Sequence, residues 1–306
     1  MLWGGGLSLA AYRQLWDEVS RSSWVRKYAR FYVWRDSGGR VLSSMKIYRP
    51  QIRLMDREGR CSVLGAIYTP RSRRCRGHAA DMVLASLDEI QNRADLAVML
   101  FSDIGTRYYS KFGFGALPAV EDTGRLPVRP VAADSGLEFR PARALDLERF
   151  QEAHAISSAD RPVAILRDLE HWEFLWIRSR SFFSRVKDPS IKHNWHAVYR
   201  EGEFIGYLIT VEGRGEWNVR EVGSIDGDPA TMARIVVHAA SMAYRSGLRR
   251  FYTWLPGEIL DRLTEWTIRS RPRKRAVPML QGCESTIDTL ELERQDKAYI
   301  PFQDQF

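Results

Sequence analysis

The chain is predicted to be an α+β protein made of two similar units in tandem. Two observations predict this. Short apolar runs of strand length alternate with amphipathic helical stretches along the whole sequence. The order helix, hairpin, strand, helix, strand is met once in the first part and again after a proline-rich interruption, without a strict sequence repeat. The expected division is 1–120, a linker at 121–136, and 137–306.

In the first unit, Leu9–Ser20 has helical periodicity. Phe31–Trp34 and Val41–Tyr48 flank Asp36-Ser-Gly-Gly39 and read as a hairpin, with Gln51–Met55 extending its second strand. Cys61–Tyr68 is a third strand, Ala79–Gln91 a helix with apolar positions Met82, Val83, Leu84, Leu87 and Ile90, and Leu96–Phe101 a buried strand. Thr106–Lys111 is a short helix stopped by Gly113. Pro118, Pro127 and Pro130 then mark the linker or an outer strand. In the second unit, Leu137–Arg140, a helix over Leu145–Ile156, a hairpin over His196–Thr210, Glu221–Ile225, a helix over Thr231–Arg245 and a strand over Arg250–Leu255 follow in turn.

Composition narrows the function classes. The chain of 306 residues is 44% hydrophobic and 27% charged, as an ordinary globular protein is. No apolar stretch is long enough to cross a bilayer, and the N-terminal residues lack a signal peptide's pattern. Cys61, Cys75 and Cys283 form no CxxC pair, which predicts a reducing, cytoplasmic setting without a disulfide framework. His193-Asn-Trp-His196 has no carboxylate or cysteine at ligand spacing, so no metal site is expected. The net charge of +8 is concentrated at the arginines of 71–76 and in Arg269-Ser-Arg-Pro-Arg-Lys-Arg275. The second cluster reads as a solvated loop, and nucleic-acid binding is the weaker alternative.

The most informative segment is Thr69-Pro-Arg-Ser-Arg-Arg-Cys-Arg-Gly-His-Ala-Ala-Asp81. It joins the apolar strand Ser62–Tyr68 to the amphipathic helix beginning near Ala79. A glycine turn between strand and helix aims backbone N–H groups and a helix N-terminus at one point. Arg71, Arg73, Arg74 and Arg76 surround that point, which suits a pyrophosphate.

Arg74-Cys-Arg-Gly-His-Ala79 fits the pattern Arg/Gln-x-x-Gly-x-Gly/Ala. It is followed by Leu100-Phe-Ser-Asp-Ile-Gly105 and Tyr108-Tyr-Ser-Lys-Phe-Gly-Phe114. In this context the chain resembles the GNAT superfamily of acetyl-CoA-dependent N-acyltransferases. The resemblance implies tandem domains, each a mixed, mostly antiparallel sheet flanked by helices, with acetyl-CoA as co-substrate. It places Ala66, Ile67 and Tyr68 along the pantetheine and acetyl carbonyl, and Arg74, Cys75, Arg76, Gly77, His78, Ala79 and Ala80 around the pyrophosphate. Ile104 and Gly105 would line the cofactor's other side, with Tyr109 as the general acid. The residue types agree with this chemistry: a backbone N–H can stabilise the oxyanion, and a hydroxyl can protonate a leaving thiolate.

The extra residue between Pro70 and Arg74, together with Leu2–Tyr12 and Pro278-Met-Leu280, is similar to the fungal lysine N6-acetyltransferases, which act on free L-lysine. Against that family the first strand is missing. The second unit has Gly223-Ser-Ile-Asp-Gly-Asp-Pro229 where a cradle would lie, which implies a domain without cofactor. A terminal Phe306 is shared with tandem enzymes of the enhanced-intracellular-survival type, whose terminal carboxylate is the general base. The reading at this level is an N-acetyltransferase acting on a small-molecule amine, lysine first, without metal, membrane or nucleic-acid partner. An aminoglycoside, polyamine or protein lysine is the alternative acceptor, and a non-catalytic acyl-CoA or nucleic-acid binding module the alternative class. Asp103 could be a base, an ammonium partner or an N-cap. The acids Glu291, Glu293, Asp296 and Asp304 suit a cationic amine.

Overall fold

The computed structural model describes residues 6–127, 136–283, 299–301 and 304. Helix α1 (Leu9–Val19) starts at Ser8, whose hydroxyl accepts the Ala11 N–H, and α2 (Ser23–Tyr28) starts in the same way at Ser22. Strands β1 (Ala29–Arg35), β2 (Val41–Tyr48), β3 (Gln51–Leu54) and β4 (Arg57–Tyr68) follow, with β1 antiparallel to β2, and β2 and β3 both antiparallel to successive stretches of β4. Helix α3 (His78–Gln91) then crosses over to β5 (Asp95–Ser102), which is parallel to β4. Helix α4 (Thr106–Ser110), β6 (Gly115–Ala116) and β7 (Val120–Arg125) complete the first part.

Next come β8 (Leu137–Pro141), α5 (Leu147–Ser157), β9 (Val163–Leu166) and α6 (Leu169–Phe183). The antiparallel strands β10 (Lys192–Arg200), β11 (Glu203–Gly213) and β12 (Glu216–Ser224) lead into α7 (Pro229–Arg245). That helix crosses over to β13 (Arg250–Thr253), parallel to β12. Helix α8 (Gly257–Leu260), β14 (Ile268–Pro272) and β15 (Val277–Gly282) follow. The parallel units β4–α3–β5 and β12–α7–β13 are the structural counterparts within the two sheets.

The sheets do not respect the 121–136 boundary. One sheet runs β1-β2-β4-β5-β15-β6, with β3 bridging β4 and β9; the other runs β14-β7-β13-β12-β11-β10-β8. Strand β7, from the stretch read as a linker or an outer strand, pairs antiparallel with β13 (Thr253 opposite Asp122), while β15 pairs antiparallel with β5 (Ser102 opposite Val277). Each sheet thus takes from the other half of the chain the strand that borders its central parallel pair. Strand β9 adds a third crossing through Ile52 opposite Ile165.

The hydrophobic cores follow this exchange. Trp24, Tyr48, Ile52 and Met99 share one buried cluster with Phe150, Trp172, Trp195, Tyr207 and Ile300, so one core spans both sheets. A second lies under α7, and a third holds α3 against β2, β4 and β5 with Met82, Val83, Ile90 and Phe114. The Arg167 guanidinium is fully buried, forked to Glu221 at 2.8 and 3.0 Å and to Asp304 at 2.9 and 2.7 Å. That network fastens the chain near its C-terminal end to β12 and to the segment between β9 and α6. Asp304 is therefore committed to Arg167, not displayed to a substrate amine; Glu291, Glu293 and Asp296 lie outside the described residues.

The basic run at 269–275 differs from the solvated loop expected. Ile268–Pro272 is an edge strand on β7, the Arg271 side chain pairs with Glu121 at 2.6 Å, and Arg273 is buried with its guanidinium 3.9 Å from the Trp254 ring. A buried, ring-stacked Arg273 cannot serve as a phosphate contact, which removes one of the cations that the nucleic-acid reading needs.

Candidate active site

The ladder between β4 and β5 ends at Leu64 opposite Leu100. Beyond that pair a cavity of about 580 Å³ opens, lined on the first sheet by Gly65, Ala66, Ile67, Phe101, Asp103, Ile104 and Tyr109. Its opposite wall comes from α1 (Tyr12, Trp16), from α6 (Arg178, Phe182, Phe183) and from the second sheet (His193, Arg220). Both halves of the chain therefore build one cavity.

Ala66 shapes the floor. Three residue steps of β4, from Gly65 to Tyr68, oppose two steps of β2, from Lys46 to Ser44, so β4 carries a bulge. Ala66 has φ +49°, a left-handed conformation unfavourable for a residue with a Cβ. A bulge at this point interrupts the ladder and turns backbone groups of Ala66–Tyr68 away from regular pairing. The Tyr68 carbonyl is held by the Ser43 hydroxyl at 2.9 Å.

The basic turn follows directly. A short 3-10 turn at Arg71–Arg73 and left-handed Cys75 (φ +61°) lead to Gly77 (φ +84°), the N-cap of α3. Gly77 offers no side chain to cap the helix, so the first N–H groups of α3, at His78, Ala79 and Ala80, have no side-chain acceptor from the N-cap. Arg74 Nε donates to the Thr69 carbonyl at 3.1 Å and braces the turn, and Arg71, Arg74 and Arg76 are exposed beside it. This is a 14-residue helix with an open, cation-flanked N-terminus, a geometry suited to a phosphate. The counterpart in the second sheet is filled by the chain itself. Asp226 accepts from Ser224, Thr231 and the Asp228 N–H, and Asp228 caps α7 through the Ala230 N–H.

Of the residues singled out in the sequence, Ala66, Ile67, Ile104 and Tyr109 line the cavity. Tyr68, Gly105 and the run Arg74–Ala80 lie outside its lining, with Arg74–Ala80 on the adjoining turn and first helical turn. Tyr109 is both a core aromatic, packed edge-on against Phe114 and Tyr108, and a cavity residue. Burial pushes its hydroxyl up to about 12, with Tyr108 and Asp103 acting in the same sense, so it stays protonated. Asp103 accepts the Ala276 N–H at 3.0 Å, and Gly105, not Asp103, is the N-cap of α4. Phe306 lies outside the described residues.

Several cavity residues carry no motif. Lys46 has its Nζ 3.0 Å from the Trp16 ring centroid and 3.3 Å from the Tyr12 hydroxyl. Burial, with Arg178 adding repulsion, lowers its ammonium to about 7. His193 accepts from Trp195 Nε1 at 3.2 Å, and burial with Arg220 and Arg178 nearby holds its imidazole neutral, down to about 3. The sequence signal that could have found Lys46 is a lone cation inside the apolar strand Val41–Tyr48. Arg178 had no such signal, because α6 was not recognised as an element. Among the described residues no His, Cys, Asp and Glu group could hold a metal ion, and no helix is long and apolar enough to cross a membrane.

The comparisons bear on the fold and the family. No curated protein matches the chain. Solved structures match over most of it. A conserved Enterococcus faecalis V583 protein described as a probable N-acyltransferase is 11% identical, with a TM-score of 0.65 over 94% of this chain and 72% of that one. A GCN5-related N-acetyltransferase from Anabaena variabilis is 13% identical (TM-score 0.63; 91% and 72% covered), and Eis1 from Mycobacterium abscessus is 13% identical (0.57; 90% and 71%). These likenesses establish the α+β fold with two mixed sheets flanked by helices. Residues 10–117 match the family model described as an acetyltransferase (GNAT) domain. Over that stretch the chain is similar to acetyltransferase domains of this type, and the protein is an enzyme that transfers an acyl group from acetyl-CoA to an amine.

Proposed function

We propose that the protein is a small-molecule N-acetyltransferase whose preferred acceptor is the side-chain amine of lysine, with Tyr109 as general acid and a catalytic unit corresponding to residues 1–120. The observation that carries this reading is one cavity lined by both the Ala66 bulge and the Tyr109 ring, with β4 leading from that bulge through the basic turn to the open N-terminus of α3. The Gly77 turn, with Arg74, Cys75, Arg76, His78, Ala79 and Ala80, takes the pyrophosphate of acetyl-CoA. Ala66, Ile67 and Tyr68 follow its pantetheine on one side, Ile104 and Gly105 on the other.

The acceptor amine attacks the thioester carbonyl as the free base, which for lysine requires loss of a proton held in water with a pKa of about 10.4. A backbone N–H of the Ala66–Tyr68 segment stabilises the tetrahedral oxyanion. The Tyr109 hydroxyl protonates the departing thiolate, a role that its protonated state permits. The second sheet and α6 close the acceptor side.

The test is thiol release from acetyl-CoA with free lysine, polyamines, aminoglycosides and lysine-containing peptides. Turnover led by lysine is expected. Turnover with peptides or aminoglycosides alone would replace the acceptor. Tight acetyl-CoA binding without turnover of any amine would favour a sensor module.

A further inference from the structure

Resting on the reading above, we propose that Lys46 is the general base, taking the proton from the acceptor's ammonium group across the cavity from Tyr109.

Its position makes this possible. Lys46 sits in β2 directly opposite Gly65, one residue from the Ala66 bulge, and lines the same cavity as Tyr109 and Ala66. A base and an acid are thereby presented to one space from β2 and α4. The aromatic face of Trp16 under Nζ and the Tyr12 hydroxyl at 3.3 Å fix the direction of the side chain without a carboxylate. Among the described residues Lys46 makes no ion pair, so no neighbouring acid fixes it as a cation.

The groups facing it come from every wall. Tyr12 lies on α1, Tyr48 on its own strand, Asp103 and Tyr109 beyond β5, Arg178 on α6, His193 on β10 and Arg220 on β12. Burial raises the hydroxyls of Tyr12, Tyr48 and Tyr109 further above the neutral range, and it holds His193 uncharged at neutral pH. Asp103 is engaged with the Ala276 N–H. Arg178 and Arg220 are cationic and disfavour a second charge nearby; repulsion from Arg178 is felt at Lys46 directly. The outcome is an amine that changes charge near neutrality, the range in which a general base is most effective.

The proton balance closes. The acceptor ammonium loses one N–H to the Nζ lone pair of Lys46. The freed amine forms the C–N bond at the carbonyl carbon, and the C–S bond breaks as the resulting tetrahedral oxyanion collapses. Tyr109 delivers its proton to sulfur and is restored by the proton that the attacking nitrogen sheds. The proton on Lys46 passes to solvent, giving amide, free thiol and one proton overall.

The experiment is the pH profile of kcat/KM with acetyl-CoA and L-lysine for wild type, Lys46→Met, Lys46→Arg and a variant lacking Phe306. The wild type should lose activity below about pH 7, tenfold per unit. Lys46→Met, which keeps the stem on Trp16, should fall about 100- to 1,000-fold at pH 7 with unchanged acetyl-CoA affinity. Its deficit should shrink as the pH approaches the acceptor's own pKa. Lys46→Arg should not rescue it. A profile unmoved in both Lys46 variants, or an acidic limb lost only without Phe306, overturns the proposal. Two measurements need no acceptor. Labelling with acetic anhydride across pH, read at Lys46 by mass spectrometry, should have its midpoint near 7; a midpoint above about 9 overturns the assignment. Acetylation of Lys46 by acetyl-CoA that chases onto an added amine would make it a nucleophile and also overturn it. If wild type turns over no lysine, the functional reading fails and the labelling midpoint alone decides the basicity of Lys46.

Discussion

Tyr109 and Lys46 look onto one cavity, and burial acts on them in opposite directions. It keeps the phenol protonated and strips the ammonium of its advantage, because in each case the charged form is the one that loses hydration. Tyr109→Phe keeps the ring packed on Phe114 and removes only the hydroxyl. Turnover should fall by about 10²–10⁴ with acetyl-CoA binding and melting temperature nearly unchanged. Equal turnover of wild type and variant would reassign Tyr109 to the core. Lys46 should also leave a mark on stability. Its amine titrates near 10.5 unfolded and about 7 folded, so between these values the unfolded chain binds more protons. Wild-type stability should therefore rise from about pH 7 to about pH 10, and below pH 7 the full penalty should persist. Lys46→Met removes it and should be the more stable protein at neutral pH, by an amount on the order of 3 kcal/mol, the gap narrowing as pH rises. Urea unfolding at pH 6.5, 8 and 9.5 measures this, and a pH-independent gap would contradict the assignment.

At the scale of elements, the turn before α3 was legible because its requirements are local. Only glycine adopts φ +84° readily, and a helix N-terminus without a capping side chain needs an outside acceptor. Gly77→Ala meets no steric obstacle, since a Cβ there would approach only the Asp81 carboxylate, at 3.7 Å. The left-handed conformation is still disfavoured by about 1 kcal/mol, so the turn should shift. KM for acetyl-CoA should rise about tenfold or more while kcat changes little; an unchanged KM would argue against a cofactor role for the turn. Val41–Tyr48 was legible for the same local reason, from the turn Asp36-Ser-Gly-Gly39 beside it, and α7 stood out as a long helical run. The helix α6 escaped notice because its inward side is mixed: His171, Ser179 and Ser181 are buried beside Trp172, Phe174 and Leu175, which blurs the apolar stripe that marks an amphipathic helix. The part of the cavity wall formed by Arg178, Phe182 and Phe183 went with it. Strand β9 was missed because four residues carry too short a pattern to register, and its partner β3 lies over a hundred residues away.

At the scale of the molecule, the exchange of β7 and β15 makes the two halves mutually dependent, and no local pattern could have announced it. Asp304 and Arg167 belong to this scale. Asp304→Ala would leave a fully buried guanidinium with Glu221 as its remaining carboxylate and should destabilise the whole protein by about 3–5 kcal/mol, measured by denaturant unfolding. The stricter consequence concerns dissection. A fragment of residues 1–127 holds the Gly77 turn, Tyr109 and Lys46, yet it lacks β15 and β9. Its β5, buried along nearly all its length, would become an exposed apolar edge, the arrangement most prone to intermolecular pairing. Trp24 and Tyr48 would also lose Phe174 and the rest of the shared core. The isolated fragment should be insoluble or lack a cooperative thermal transition, although every residue proposed to bind acetyl-CoA is present. Co-expression with 128–306 should restore a soluble complex that binds acetyl-CoA, because β15 and β7 can then each reach the sheet they complete. A monomeric 1–127 fragment that melts cooperatively and binds acetyl-CoA unaided would show that the exchanged strands are dispensable. Catalysis would then belong to the first part alone, and the second would serve only to wall the acceptor.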